Sequence, residues 1–284
     1  MNYHDIVTEF SDFMRGYGIE TNVEIIADGK INRAYVIGDK RGSKNLSYLL
    51  HTDGKPAGYF EHFRTGERVR WKSNAVVGSM SHEQRAEIAA KKLQREKDAL
   101  AKYQQAAMVA RKLWTQAQPF AIEQTHAYLL KKRILPHNAR ILSGDLLIAL
   151  WNERREISTL QFVDPQGDKR FLVGGKKAGA FAVIGKHDAP HNRILICEGF
   201  ATGASLFEDT GHFVVCAMDA GNLEPVARAI RRLFTVAPIT ICGDNDLTGV
   251  GQKAAKSAAL ACNGGYIIPP DVGTDWNDVI SEDG

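Results

Sequence analysis

Six acidic residues share one circumstance: Glu198, Asp219, Asp244, Asp246, Asp275 and Asp278 each follow closely on a short apolar run. The runs are ILIC at 194–197, FVVCAM at 213–218, ITIC at 239–242 and YII at 266–268. Helix-like stretches near 202–209, 223–234 and 250–262 separate them, the alternation of a parallel sheet covered on both faces. Ligands bind such a sheet at the carboxyl ends of its strands, so the spacing predicts a collection of carboxylates at that edge. Gathered like charges repel and call for a cation. Hard oxygen donors with no His or Cys among them suit Mg2+ or Mn2+ rather than zinc. Taken singly, each acid would equally serve as a helix N-cap or turn residue. Glu198, Asp244 and Asp246 on adjacent strand ends are what point to a metal site. Gly199 and Gly203 flank the turn after the first run, and Gly249 and Gly251 open the helix after the two aspartates, where small residues permit close approach. Gly249-x-Gly251-x-x-Ala254 imitates a dinucleotide fingerprint, but a pyrophosphate there would meet both aspartates.

The rest of the chain must position this edge. Residues 191–284 hold 6 Lys and Arg against 12 Asp and Glu, whereas residues 1–190 hold 30 against 21. An acidic module joined to a basic segment suits a protein that holds metal with one part and a polyanion with the other, though solvated helix charge gives the same count. Residues 1–78 read as a small α+β domain: an amphipathic helix (Ile6, Phe10, Phe13, Met14), then strands punctuated by Asp28-Gly29, Gly38-Asp39, Asp53-Gly54 and Thr65-Gly66. Ser81 with Gln84 makes a capping box, and no Pro or Gly follows until Pro119, so 79–118 reads as one long helical linker, whose uneven apolar positions suit a connecting or partly packed helix rather than a regular coiled coil. Residues 119–190 read as a helix near 121–132 and an antiparallel β-rich subdomain with turns at 152–155 and 164–167. Residues 191–284, after Pro190, form the α/β module.

Two other groups bear on chemistry. Lys169, Arg170, Lys176 and Lys177, with Lys131, Lys132 and Arg133, are basic clusters that serve phosphate contact or a solvated face. Near the N-terminus Tyr35, Tyr48, Tyr59, Phe63 and Trp71 interleave with Arg33, Arg64, Arg68 and Arg70, a mixture that suits single-stranded nucleic acid, although half or more of the rings must form the core of so small a domain. The four cysteines never occur as CxxC and read as buried thiols in a reducing cytoplasm. The nine histidines lie at no ligand spacing. No apolar run approaches a membrane span and the opening lacks a secretory layout.

ICEGFATGASL, ITICGDNDLTGVGQKAA and TDWNDVISEDG resemble in order and spacing the three motifs of a Toprim domain, the metal-binding module of DnaG-type primases and topoisomerases. More closely, the whole chain resembles the zinc-free DnaG-type primases encoded by plasmids, phages and other mobile elements. The segment IIADGKINRAYVIGDKRG stands where DnaG has its zinc finger, and residues 146–185 resemble the basic subdomain that precedes Toprim. The resemblance implies a Toprim fold with a Rossmann-like parallel sheet, and a nucleotidyltransferase that makes short primers on single-stranded DNA from nucleoside triphosphates with Mg2+ or Mn2+. By position it implies Glu198 as general base or metal-site residue, Asp244 and Asp246 as the metal-binding pair, and Asp275 as the first aspartate of the last motif. One departure falls at Asn277, where these enzymes usually carry a further aspartate; Asn277 offers a carbonyl oxygen without charge, or Asp278 serves instead.

Other readings share parts of this pattern. A Toprim nuclease would use the same acidic edge, and a non-catalytic nucleic-acid-binding recombination module the same basic segments. A topoisomerase would need a nucleophilic tyrosine in a further large domain. Asp244-x-Asp246-x-Thr248 matches a phosphatase pattern, but too little chain follows it. The absence of GxxxxGK[ST] implies that a replicative helicase acts in trans or in a further C-terminal part.

Overall fold

The computed structural model describes residues 3–52, 55–73, 82–121, 124–186 and 192–283. The Asp53-Gly54 turn, the cap at Ser81 and the boundary at Pro190 lie outside them. The chain divides into two compact units, Met1–Lys97 and Asp98–Gly284.

In the first unit, α1 (Tyr3–Gly16) is followed by β1 (Asn32–Ala34), β2 (Leu46–His51), β3 (Ala57–His62) and β4 (Glu67–Lys72), an antiparallel sheet in chain order. Alternation decides what each strand buries. Leu46, Tyr48, Leu50, Phe60 and Trp71 turn inward onto Ile6, Phe10 and Met14 of α1, while Arg68, Arg70 and Lys72 stay exposed. Behind this core lies one buried polar knot: Asp39 Oδ2 is 2.9 Å from His62 Nε2 and accepts from Asn45 Nδ2 at 2.9 Å, and Asp39 Oδ1 is 2.8 Å from Arg64 Nε.

The long helix α2 (His82–Gln116) is unbroken and crosses the boundary between the units. Its C-terminal part is core rather than linker: Ala110, and Ala117 just beyond the helix, are buried, and with Leu113 and Trp114 they pack on Leu147, Ala149, Leu160 and Phe162. After it come β5 (Gln118–Pro119), α3 (Ala127–Lys132), β6 (Arg140–Leu142), β7 (Asp145–Trp151), β8 (Ile157–Val163) and β9 (Lys169–Phe171). The strands form the expected antiparallel sheet in chain order. The helix foreseen over 121–132 shrinks to α3 because His126 is its N-cap, its side chain accepting from the Tyr128 N–H.

Then follow β10 (Ala182–Ile184), β11 (Ile194–Cys197), α4 (Phe200–Thr210), β12 (Phe213–Cys216), α5 (Ala220–Leu233), β13 (Ile239–Cys242), α6 (Val250–Cys262), β14 (Gly265–Ile267) and α7 (Trp276–Asp283). Their sheet has the order β10-β12-β11-β13-β14, parallel except for β10, which runs antiparallel to β12. The sequence reading left β10 with the preceding subdomain; hydrogen bonding makes it the edge of the α/β sheet instead. Strands β11, β12 and β13 are buried at every residue, as their unbroken apolar runs require when both faces are covered. No described helix is long and apolar enough to cross a membrane.

Candidate active site

β11, β12 and β13 each end in a cysteine: Cys197, Cys216 and Cys242 are buried and free, with 3.9 Å between the Sγ atoms of Cys197 and Cys216. Burial pushes the Cys197 thiol well above its usual range and Cys242 up to about 12. The edge therefore rests on a buried floor of weakly polar thiols. Gly203 lets α4 lie directly on it, because a Cβ there would collide with both Cys216 Sγ and Cys197 Sγ.

From β11 the chain moves to β12 on one side, then returns to β13 on the other. The crevice at such a reversal is where open α/β sheets bind ligands, and here Glu198 and Asp244 meet. Burial, then the charges of Asp244, Asp246 and Asp219, raise Glu198 to about 8. Burial, then Asp275, Asp246 and Asp278, raise Asp244 to about 6, with Lys169 acting the other way. Glu198 Oε1 and Asp244 Oδ1 are buried oxygens with no hydrogen-bond donor, an arrangement that costs stability unless a cation completes it.

Asp246 has partners. Burial works against its ionisation, but Thr248 Oγ1 and the N–H groups of Gly251, Val250 and Thr248 hold it below the usual carboxylate range. It thereby organises the start of α6, where Gly249 takes a left-handed φ of 72°. A Cβ on Gly251 would come within 2.7 Å of Asp244 O, 3.0 Å of Asp246 Oδ2 and 3.2 Å of Glu198 Oε1, so only glycine leaves these oxygens a common space. Among the described residues no three His, Cys, Asp or Glu side chains stand closed on one centre. The hard-oxygen set and its two orphan oxygens nonetheless fit a divalent cation.

The family model described as a Toprim domain matches residues 193–284. Residues 193–284 are a Toprim domain. Over 263 residues the chain is 34% identical to one DNA primase TraC of Escherichia coli, matching 86% of this chain and 24% of that one. A second DNA primase TraC of the same organism is 33% identical over 282 residues, 92% of this chain and 19% of that one. The chain thus spans a quarter or less of these relatives' length. A solved DnaG primase catalytic domain bound to single-stranded DNA is 15% identical, with a TM-score of 0.46, over 65% of this chain and 77% of that chain. The resemblance to a Toprim domain, read above from three motifs, agrees with the family match, and the resemblance of the whole chain to DnaG-type primases of mobile elements agrees with the two primase matches.

The remaining acids of the Toprim edge have structural partners. Asp219 is the N-cap of α5, accepting from the Asn222 N–H, and its other oxygen pairs with Lys177. Asp275 and Asp278 cap α7 reciprocally: Asp275 Oδ1 accepts from the N–H groups of Asn277 and Asp278, and Asp278 Oδ2 from that of Asp275. Lys132 Nζ lies 4.0 Å from Asp275 Oδ2 and 3.6 Å from Asp278 Oδ1. Asn277 is buried, its amide nitrogen donating at 2.8 Å to Lys132 O and to Ser205 Oγ. It ties α7 to α3 and α4, a different task from the carbonyl ligand that the motif suggested.

The basic subdomain supplies cations at the same edge. Lys169 is held below the ordinary lysine range by the atoms crowding it and by Lys132, against Asp275 and Asp244, and its Nζ lies 5.5 Å over the Tyr128 ring. Arg170 is engaged by Asp145 at 2.5 Å and by the Phe162 ring. Lys176 is exposed and has no ion-pair partner among the described residues. The residue that sequence reasoning missed is Asn222. Its Oδ1 accepts from Gly179 N at 2.7 Å, and its Nδ2 donates to Ala180 O at 2.9 Å and Ala217 O at 2.7 Å. Buried and saturated, it stitches the loop bearing Lys176 and Lys177 onto the end of β12. An asparagine three residues after an aspartate reads as ordinary helix-start chemistry, so no signal marked it.

In the first unit Arg33 lies over the Phe63 ring, whereas Arg64 is engaged by Asp39. A cleft of about 710 Å³, lined by Trp114, Phe120, Trp151, Phe181 and Phe234 among others, opens beside β10 and includes none of the acids.

Proposed function

We propose that the chain is the primer-synthesising part of a DNA primase, joining nucleoside triphosphates on single-stranded DNA. The observation that carries this reading is the pair of buried, donorless oxygens of Glu198 and Asp244 at the switch of the Toprim sheet, facing the lysines of the preceding subdomain. Glu198, Asp244 and Asp246 would hold Mg2+ or Mn2+, with Asp275 and Asp278 behind them; when bound, the cation offsets charge on the phosphoryl oxygens and lowers the pKa of the attacking hydroxyl. Asp244 and Asp246 keep their positions through the α6 loop. Glu198 accepts or shares the proton of that hydroxyl, its proton affinity set by burial and by Asp244. Lys169, Lys176 and Lys177 meet the triphosphate or the template backbone, Lys177 by exchanging its pairing with Asp219. Arg170 and Lys132 stiffen their surroundings through the acids they engage. A helicase in trans or in a further part of a longer protein would be the partner, since the sequence has no P-loop.

The test is incubation with single-stranded DNA, labelled nucleoside triphosphates and Mg2+ or Mn2+, followed by sizing. Short oligonucleotides that disappear with Asp244→Ala are expected. Shortening of end-labelled DNA without synthesis would replace this reading with the nuclease.

A further inference from the structure

The register of the first unit sorts its interleaved rings and arginines into two sets. Tyr48 and Trp71 face α1 and are buried. Across the other side of the sheet, register aligns Arg33, Ser47, Glu61 and Arg68 in one row. A second row holds Leu49, Tyr59 and Arg70, and Lys72 stands at the end of β4 on the same face. Arg33, Arg68, Arg70 and Lys72 are exposed, and Glu61 is the single acid among the described residues of these two rows. Arg70 and Lys72 have no ion-pair partner among the described residues. The guanidinium of Arg33 lies 4.3 Å over the Phe63 ring, and that of Arg68 lies 5.3 Å over Tyr59.

We propose that this outer face of β1–β4 is a platform for single-stranded nucleic acid. Cations gathered on one sheet face repel one another and reduce stability, so the face is built for an anionic partner. An acidic protein or an anionic membrane would answer the charge alone. The rings decide for nucleic acid: the partly exposed Tyr59 and Phe63, each with a guanidinium group over its ring, offer unpaired bases aromatic and guanidinium surfaces to stack on, while Arg70 and Lys72 reach phosphate. Duplex DNA keeps its bases stacked inside and cannot use these surfaces. Arg64, a sequence candidate for this role, is instead committed to the buried Asp39 and holds the β3–β4 turn in place. The inference rests on the primase reading only for the identity of the strand, a template; its test reads binding alone.

Fluorescence anisotropy of labelled oligothymidylate, measured with the full chain across a salt series, provides that test. Replacing Arg33, Arg68 and Arg70 together by Gln should weaken binding by about tenfold or more and lower the log–log salt slope by about 0.7, the share of the one phosphate contact on a single strand that is lost with Arg70. Tyr59→Ala with Phe63→Ala should weaken oligothymidylate binding about fivefold or more, with the slope kept and duplex binding unaltered. Circular dichroism and urea denaturation establish that each variant is folded. Wild-type affinity and slope in the arginine variant would overturn the proposal. So would equal weakening toward oligothymidylate, duplex and heparin with no effect of the rings, which would make the face a general polyanion patch. Loss of primer synthesis by the wild-type chain with these shifts intact would overturn the primase reading and leave the platform standing.

Discussion

Glu198 shows how one carboxylate depends on what lies beneath and beside it. Its neighbours below are neutral thiols and its neighbours alongside are acids, so ionisation is disfavoured twice, and in the metal-free protein its proton leaves only at about pH 8. A carboxyl whose folded pKa exceeds its unfolded value near 4.5 binds more protons in the folded state throughout that interval, so stability falls as pH rises through it and levels above 8. Asp244, at about 6, adds the same sign over the lower part of the window. Asp246, shifted downward, acts only in more acid solution. Glu198→Gln should therefore unfold at higher urea than wild type at pH 8 in EDTA, by on the order of a few kcal/mol, and at nearly the same urea at pH 5. Mg2+ should narrow the gap at pH 8 by stabilising the wild type more than the variant, which keeps only Asp244 and Asp246 of the three carboxylates. Parallel pH curves for the two proteins would show that Glu198 does not carry the burial and repulsion assigned to it.

Elements bring such residues together, and they differ in how openly the sequence announces them. The apolar runs of β11, β12 and β13 are continuous because both faces are buried, and their acids stood out by following those runs. The alternation of β4 was equally readable. What escaped were elements defined by partners rather than by their own pattern: β10 has three residues and takes its place from hydrogen bonds to β12, and α3 begins late because His126 caps it. Asn222 belongs to this class, since its importance lies in a carbonyl and an N–H that the chain supplies some forty residues away, at Ala180 and Gly179. Asn222→Ala would leave Gly179 N–H, Ala180 O and Ala217 O unpaired, a cost of about 1–3 kcal/mol, and would release the loop bearing Lys176 and Lys177 from the β12 edge. In primer synthesis its KM for nucleoside triphosphate should rise several-fold more than its kcat falls, because the loop positions cations without touching the reacting oxygen. A fall in kcat alone would assign Asn222 to the acidic edge itself.

At the scale of the molecule, separate cores explain why the domain boundary is the least legible feature of this chain. The first unit has its own cluster of buried hydrophobics around Phe10, Tyr48 and Trp71, and the second has others of its own. Composition placed the break around the long helix as a whole, since a basic helix without Gly or Pro reads as a linker. Packing places it within the helix, because Ala110, Leu113, Trp114 and Ala117 complete the face of β7 and β8. A fragment of residues 98–284 should therefore melt cooperatively and bind nucleoside triphosphate in the presence of Mg2+. A fragment beginning at residue 119 should be weaker by several kcal/mol, as each large apolar side chain removed from a buried site forfeits about 1.5–3 kcal/mol. Neither fragment should start primers on single-stranded DNA if the face of β1–β4 holds the template. Urea denaturation of both fragments, calorimetric titration of the longer one with nucleoside triphosphate, and a primer assay on each test these points. Equal stability of the two fragments would return the C-terminal part of α2 to the role of linker, and primer initiation by residues 98–284 would move template capture into the second unit.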